Sequence, residues 1–159
     1  MNDDSTRQSV LFSDLLDKPV IAKFDQKHAS SDGGAILLQA CDRRLRLTDA
    51  LIGAIDDRRQ SGKIRHAIGD LVRQRLYAIG CGYPDANDAS RLGSDPIHKL
   101  LCDRDPVKGG ELASQPTLSR FENSVDRADL YRKGIALAGA VIERHPPCVR
   151  LVVASKYSS

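Results

Sequence analysis

The densest chemistry in the sequence lies between residues 58 and 75. There Arg58, Arg59, Lys63, Arg65, Arg73 and Arg75 stand against a single carboxylate, Asp70, leaving an excess of five positive charges. Such a run can neutralise phosphates and release their counterions, which gives salt-dependent binding that reads no base sequence. The plain alternative is a solvated helix face outside an apolar core, and the residues alone leave the two about evenly balanced. A second group, Ser119, Arg120 and Asn123, sits in Thr117-Leu118-Ser119-Arg120-Phe121-Glu122-Asn123, a stretch rich in the polar types that read base edges. The span from Ser114 to Ile135 has the layout of a helix-turn-helix, with an ordinary helical hairpin as the competing reading. No Gly lies in its turn, and Glu122, Asp126 and Asp129 would face phosphates.

Other reactive side chains read as structural. Asp85 follows a proline, Asp88 can cap a helix and Asp95 precedes a proline, so turn and capping chemistry accounts for all three. His28, His66, His98 and His145 are scattered, and none neighbours a Ser or Cys in the manner of an activated nucleophile. His66 and Asp70 lie one helical turn apart and are expected to form a surface pair. Gly33-Gly34 and Gly109-Gly110 lack the Lys and Ser/Thr of a phosphate loop. Cys41, Cys81, Cys102 and Cys148 show no closely spaced pair of the kind zinc sites use, so all four are expected to be reduced and structural. No catalytic residue, metal ligand or cofactor is expected within this chain.

These residues need a scaffold, and 159 residues suffice for one domain with a single core. A net charge of +3 permits nucleic acid without requiring it. Aromatics at 4% and no Trp argue against a stacking platform for single strands, whereas duplex binding needs no rings. No apolar run approaches the roughly 20 residues that span a bilayer, so no membrane association and a cytoplasmic location are expected.

Residues 1–18 read as a polar, flexible arm, and Pro19 to Lys27 as a short strand. Helices follow: one after the Ser30 to Gly34 cap region, running to Leu45; one from Thr48 to Ile55; and one carrying the apolar stripe Ile64, Ala67, Ile68, Leu71, Val72, Leu76 and Ile79. Two short helices lie near Ser90 to Gly93 and Ile97 to Cys102, and Asp103 to Ala113 is a loop. A helix then starts at Ser114, and a last one, capped by Asp126, lines up Leu130, Gly134, Leu137, Ala138, Val141 and Ile142 before His145-Pro146-Pro147. The helical domain is thus expected over 19–147, and Val149 to Val153 has the apolar run of a buried strand that needs a partner.

Four of these stretches together resemble the N-terminal region of bacterial insertion-sequence transposases with a DDE domain, group 1. They are Ser31-Asp32-Gly33-Gly34; Arg73-Gln74-Arg75-Leu76-Tyr77 followed by Gly80 to Asp88; Arg91 to Pro96; and Leu112 to Asn123. Their order and spacing agree over about residues 20 to 150, and four collinear matches are far more specific than one. The resemblance implies DNA transposition, with this region binding the terminal inverted repeats of duplex DNA. It also implies a mainly α fold with a short N-terminal β element. Residues 148–159 would be the first strand of an RNase H-like α/β domain, in which carboxylates of a VLDxDxTDD-like motif hold divalent metal, Mg for the complete enzyme. Here Ala154 to Ser159 stand where those acids are expected, so a truncated piece unable to cut DNA is expected. The DNA-binding residues expected are Arg58, Arg59, Lys63, Arg65, Arg73, Arg75, Ser119, Arg120 and Asn123. The competing expectations are a non-catalytic oligomerisation or interaction module, including a homo-oligomer, and the product of a decayed pseudogene.

Overall fold

The computed structural model describes residues 19–21 and 29–144, and among them the chain is helical. Seven α-helices are ordered α1 (Ala35–Leu45), α2 (Leu47–Gly53), α3 (Ile68–Gly80), α4 (Ala89–Leu92), α5 (Pro96–Leu101), α6 (Gln115–Asn123) and α7 (Arg127–Ile142). Two short 3-10 turns, Ser61–Lys63 and Ala86–Asp88, lie between them. No strand occurs among the described residues, where Val20 alone carries a bridge pairing. Most of the expected N-terminal strand and all of the expected strand at Val149 to Val153 lie outside them.

Helix α3 is the hub, packed against α1, α2, α5 and α6. Of the expected stripe, Leu71 and Val72 are buried, but Ile64 and Ala67 precede the helix and Leu76 and Ile79 are exposed; the helix feeds two buried clusters through Leu71 and Tyr77. Leu71 joins Ala86, Ala89, Ala113 and Leu118 with Phe121 against them. Six residues further on, Tyr77 joins Ala35 and Leu101 with Cys81 and Ile97. Burying side chains of this size removes apolar surface worth roughly 1.5–3 kcal/mol each, so one helix supports both halves of the core.

Helix ends follow local chemistry. Arg46 adopts a left-handed conformation, φ 54°, and separates α1 from α2, so the second helix begins at Leu47, ahead of the expected cap. The Asp42 carboxylate secures this joint: it accepts from the Thr48 N–H at 2.9 Å, from the Thr48 hydroxyl and from Tyr77 Oη at 2.8 Å. Burial and the hydrogen bond to Asp42 push the Tyr77 hydroxyl far above its ordinary value, so it remains a donor. Helix α3 ends where Gly82 takes φ 92°, with the Gly82 N–H bonded to Ile79 O at 3.0 Å and the Tyr83 N–H to Ala78 O at 2.9 Å. That pair of bonds is a Schellman closure, and the positive φ favours glycine.

Helix α7 opens with a capping box: Asp126 accepts from the Asp129 N–H and Asp129 from the Asp126 N–H. It lies against α2, as Ala136, Gly139 and Ala140 are half-buried. The expected apolar stripe is turned largely outward, with Leu130 at 61%, Val141 at 48% and Ile142 at 64% exposure. No described helix is long and apolar enough to cross a membrane.

Candidate nucleic-acid interface

The candidate interface is built around α6, and α6 is placed by α3. Gln74, 3% exposed, uses both ends of its amide on the segment leading into α6. Its Nε2 donates to Ala113 O at 2.8 Å and its Oε1 accepts the Ala113 N–H at 2.9 Å, much as a neighbouring strand would pair with that residue. On the next residue, the Arg75 guanidinium bonds Glu122 of α6 and donates to the carbonyls of Tyr83 and Pro84. The preceding residue, Arg73, reaches Asp49 of α2 at 3.4 Å and Asp103 at 3.9 Å. Successive helical residues point about 100° apart, so Arg73-Gln74-Arg75 ties three different neighbours to one turn of α3.

One face of α6 and the loop before α3 enclose a groove of about 570 Å³. Arg59, Lys63, Arg65 and His66 line it from the loop, and Ser114, Thr117, Arg120, Phe121 and Ser124 from α6 and its ends. Four expected cations thus meet in one place, although Arg120 is more than fifty residues from the others in sequence. Their electrostatic states differ. Arg59 is paired with Asp57 at 2.7 Å and donates to His66 O at 3.0 Å. Lys63, Arg65 and Arg120 are exposed and form no ion pair among the described residues. Arg58 lies outside the groove and is paired with Asp126 at 3.3 Å and Asp56 at 3.6 Å.

His66 was not singled out for this site by the sequence. It is 8% exposed, and burial, followed by the charges of Arg104 and Arg65, lowers its pKa from the ordinary 6.5. The expected surface pair with Asp70 is not formed as such. Arg104 Nη2 stands between them, 3.2 Å from His66 Nδ1 and 3.0 Å from Asp70 Oδ2. Neutral His66 can therefore accept from Arg104 while Arg104 compensates the carboxylate.

Ser119 and Asn123 face the other way. They line a second groove of about 580 Å³ with Arg75, Asp85, Asn87, Gln115 and Glu122. The Ser119 hydroxyl accepts from Gln115 Nε2 at 3.0 Å. The three α6 residues grouped by the sequence are thus divided between two faces, and the face holding Ser119 and Asn123 carries two carboxylates, Asp85 and Glu122, against one, Glu111, in the first groove. Helix α7 follows α6 and sets Lys133 over the Phe121 ring at 5.9 Å.

The acidic trio behaves largely as capping chemistry predicts. Asp85 accepts from the Asn87 N–H at 2.9 Å. Asp95 accepts from the N–H groups of Ile97 and His98 at 2.8 and 3.0 Å at the start of α5. Asp88 makes no capping bond and instead sits 3.7 Å from Arg91.

A separate polar cluster lies at the C-terminal end of α3. His98, 1% exposed, meets Asp32 Oδ2 through Nε2 at 2.9 Å, while Tyr83 Oη and Ser31 Oγ donate to Asp32 Oδ1, each at 3.2 Å. Burial alone would raise the Asp32 pKa, but the bonds from His98, Tyr83 and Ser31 outweigh it and hold the carboxyl below its ordinary value. Cys81 Sγ belongs to the same cluster. His98 thus stands near Cys81, seventeen positions away in sequence, but burial and the charges of Asp32 and Asp95 push the Cys81 thiol up, the opposite of an activated nucleophile.

The model of the transposase DDE domain, group 1, matches residues 12–153. No curated protein and no solved structure matches the chain. The family match spans nearly the whole sequence and includes the α3 ties and the α6 segment that shape the groove. On that basis the chain belongs to the transposase DDE domain group 1 family, whose role is DNA transposition.

Proposed function

We propose that the groove between the 59–66 loop and α6 holds the phosphate backbone of duplex DNA, and that residues 19–147 serve transposition by binding the ends of the mobile element. The observation that carries this reading is the convergence of Lys63, Arg65 and Arg120, three cations without carboxylate partners among the described residues, on one groove. Beside them the Ser114 and Thr117 hydroxyls bond each other at 3.2 Å, which leaves one O–H of the pair for a phosphate oxygen, while the Ser124 hydroxyl donates to Phe121 O. Arg59 is already held by Asp57 and would contribute after exchanging partners, whereas Arg58, Arg73 and Arg75 serve the fold.

Strand transfer in this family relies on divalent ions held by carboxylates. The described residues gather no set of three carboxylates, and their one group of three metal-ligand types is Asp32, Cys81 and His98. The role of these residues in this reading is recognition, in the cytoplasm. The test is fluorescence anisotropy with a duplex carrying candidate inverted repeats and a scrambled duplex. Tighter binding to the repeats supports end recognition. Equal binding to both leaves backbone contact without recognition, and no binding to either refutes the reading.

A second reading, an interaction module, is favoured by the exposed apolar stripe of α7, where Leu130, Tyr131, Ile135 and Ile142 are each more than half exposed. Light scattering across a concentration series separates the two, because association through apolar surface survives salt that dissociates phosphate contacts.

A further inference from the structure

We propose that Asp32, Cys81 and His98 form a zinc site that staples the loop before α1 to the C-terminal end of α3 and to α5. The three donor atoms, a carboxylate oxygen, a thiol sulfur and an imidazole nitrogen, all lie within 4.8 Å of one another. Zinc takes sulfur at about 2.3 Å and nitrogen or oxygen at about 2.0–2.2 Å, so a tetrahedral ion spaces its donors about 3.3–3.8 Å apart. The cluster is already within side-chain adjustment of that spacing. The mixed donor set suits zinc, a borderline ion served equally by thiolate, imidazole and carboxylate, and does not suit magnesium, which prefers oxygen alone.

Each donor is held by the fold before any ion arrives. His98 is almost fully buried on α5, whose first turn is fixed by the Asp95 cap. Cys81 is set by the Schellman closure at Gly82. Asp32 keeps Oδ2 toward His98 because Oδ1 accepts Tyr83 and Ser31, the kind of outer hydrogen bonding that orients metal-ligating carboxylates. Cys81 is half-buried, which leaves a solvent side for water as fourth ligand. On binding, the thiol loses its proton to solvent, His98 releases its Nε2 proton and takes one at Nδ1 by exchange with solvent, and the His98–Asp32 hydrogen bond gives way to two metal bonds.

The three ligands come from segments up to 66 residues apart, so the ion would cross-link the fold and couple its affinity to stability. This inference does not rest on DNA binding. The full chain, stripped of metal, is titrated first with cobalt(II) and then with zinc(II). The expected result is one equivalent of cobalt showing tetrahedral visible bands and thiolate-to-cobalt charge transfer, displaced by zinc, with a higher Tm in zinc. Cys81→Ser should abolish the charge transfer and the Tm rise, Asp32→Asn should weaken cobalt binding at least tenfold, and Cys41→Ser, an exposed thiol outside the cluster, should change neither. Absence of any cobalt spectrum in the unaltered chain overturns the proposal, as does a charge-transfer band that persists in Cys81→Ser.

Discussion

The two halves of the segment from Arg58 to Arg75 use one residue type for opposite ends. Within α3, Arg73 and Arg75 spend their guanidinium groups on Asp49, Asp103, Glu122 and two backbone carbonyls, and the Arg75 side chain is only 13% exposed. In the loop before α3, Lys63 and Arg65 are exposed and meet no carboxylate, and α6 brings Arg120 to join them. A rigid helix in the centre of the fold offers its cations fixed partners on every side, and such cations become ties. The loop at the edge pairs Arg58 with Asp56 and Asp126 and Arg59 with Asp57 but offers Lys63 and Arg65 no carboxylate, and those two stay available to an external anion. Charge density along the sequence is therefore a poor guide to charge available for binding.

The largest effect should come from breaking the tie rather than the groove. Gln74→Ala leaves the buried N–H and C=O of Ala113 without partners, and at about 1–3 kcal/mol for each orphaned group the loss should reach about 2–6 kcal/mol. Urea denaturation checks this, and a loss below about 1 kcal/mol would show that Gln74 does not hold α6. Arg75→Met should follow at about 1–3 kcal/mol, since its partners are partly solvated. By contrast, replacing Lys63, Arg65 and Arg120 together with Ala should leave stability within about 0.5 kcal/mol per site, as expected for exposed side chains without partners.

Acidification sharpens the comparison next. The His66 pKa is depressed in the fold, so the unfolded chain binds more protons once pH falls below the ordinary 6.5. Stability should be constant above that value and decline as pH drops from 6.5 towards the folded-state pKa. A further loss follows at lower pH, where Asp32, with its own depressed pKa, is forced to protonate. Thermal melts from pH 7.5 to 5 should show the first decline, and His66→Gln should flatten it. The smallest effect is expected from Ser119→Ala and Asn123→Ala, which lie in the groove shared with Asp85 and Glu122 and should change DNA affinity less than about twofold, well under 1 kcal/mol by the affinity relation. A tenfold loss in either would place the DNA on the other face of α6.

The helices were legible to the extent that their signals are local. Apolar spacing and caps located α1, α3, α6 and α7 to within a few residues, and the Asp126 cap carries its full capping box. Burial of α7 was not legible, because a periodic stripe identifies an amphipathic helix but not which face meets a neighbour. Small residues Ala136, Gly139 and Ala140 allow close approach to α2, and the large ones point away. Of the candidate site, the residue types were readable and their fates were not. Whether an arginine is free depends on carboxylates tens of positions away, as with Arg75 and Glu122. The meeting of Cys81 with His98 and Asp32 likewise depends on how α5 and the loop before α1 pack at the end of α3.

If Lys63, Arg65 and Arg120 contact phosphates while Arg73 and Arg75 do not, the salt dependence of duplex binding reports it most directly. Each phosphate contact contributes about 0.9 to the slope of log affinity against log salt, so three contacts amount to about 2.7 and to about 40-fold in affinity between about 50 and 200 mM salt. The unaltered chain should show at least this slope, and the Lys63, Arg65 and Arg120 triple alanine variant should lose about 2.7 from it while melting normally. An unchanged slope in the triple variant would contradict the account and move the interface away from this groove.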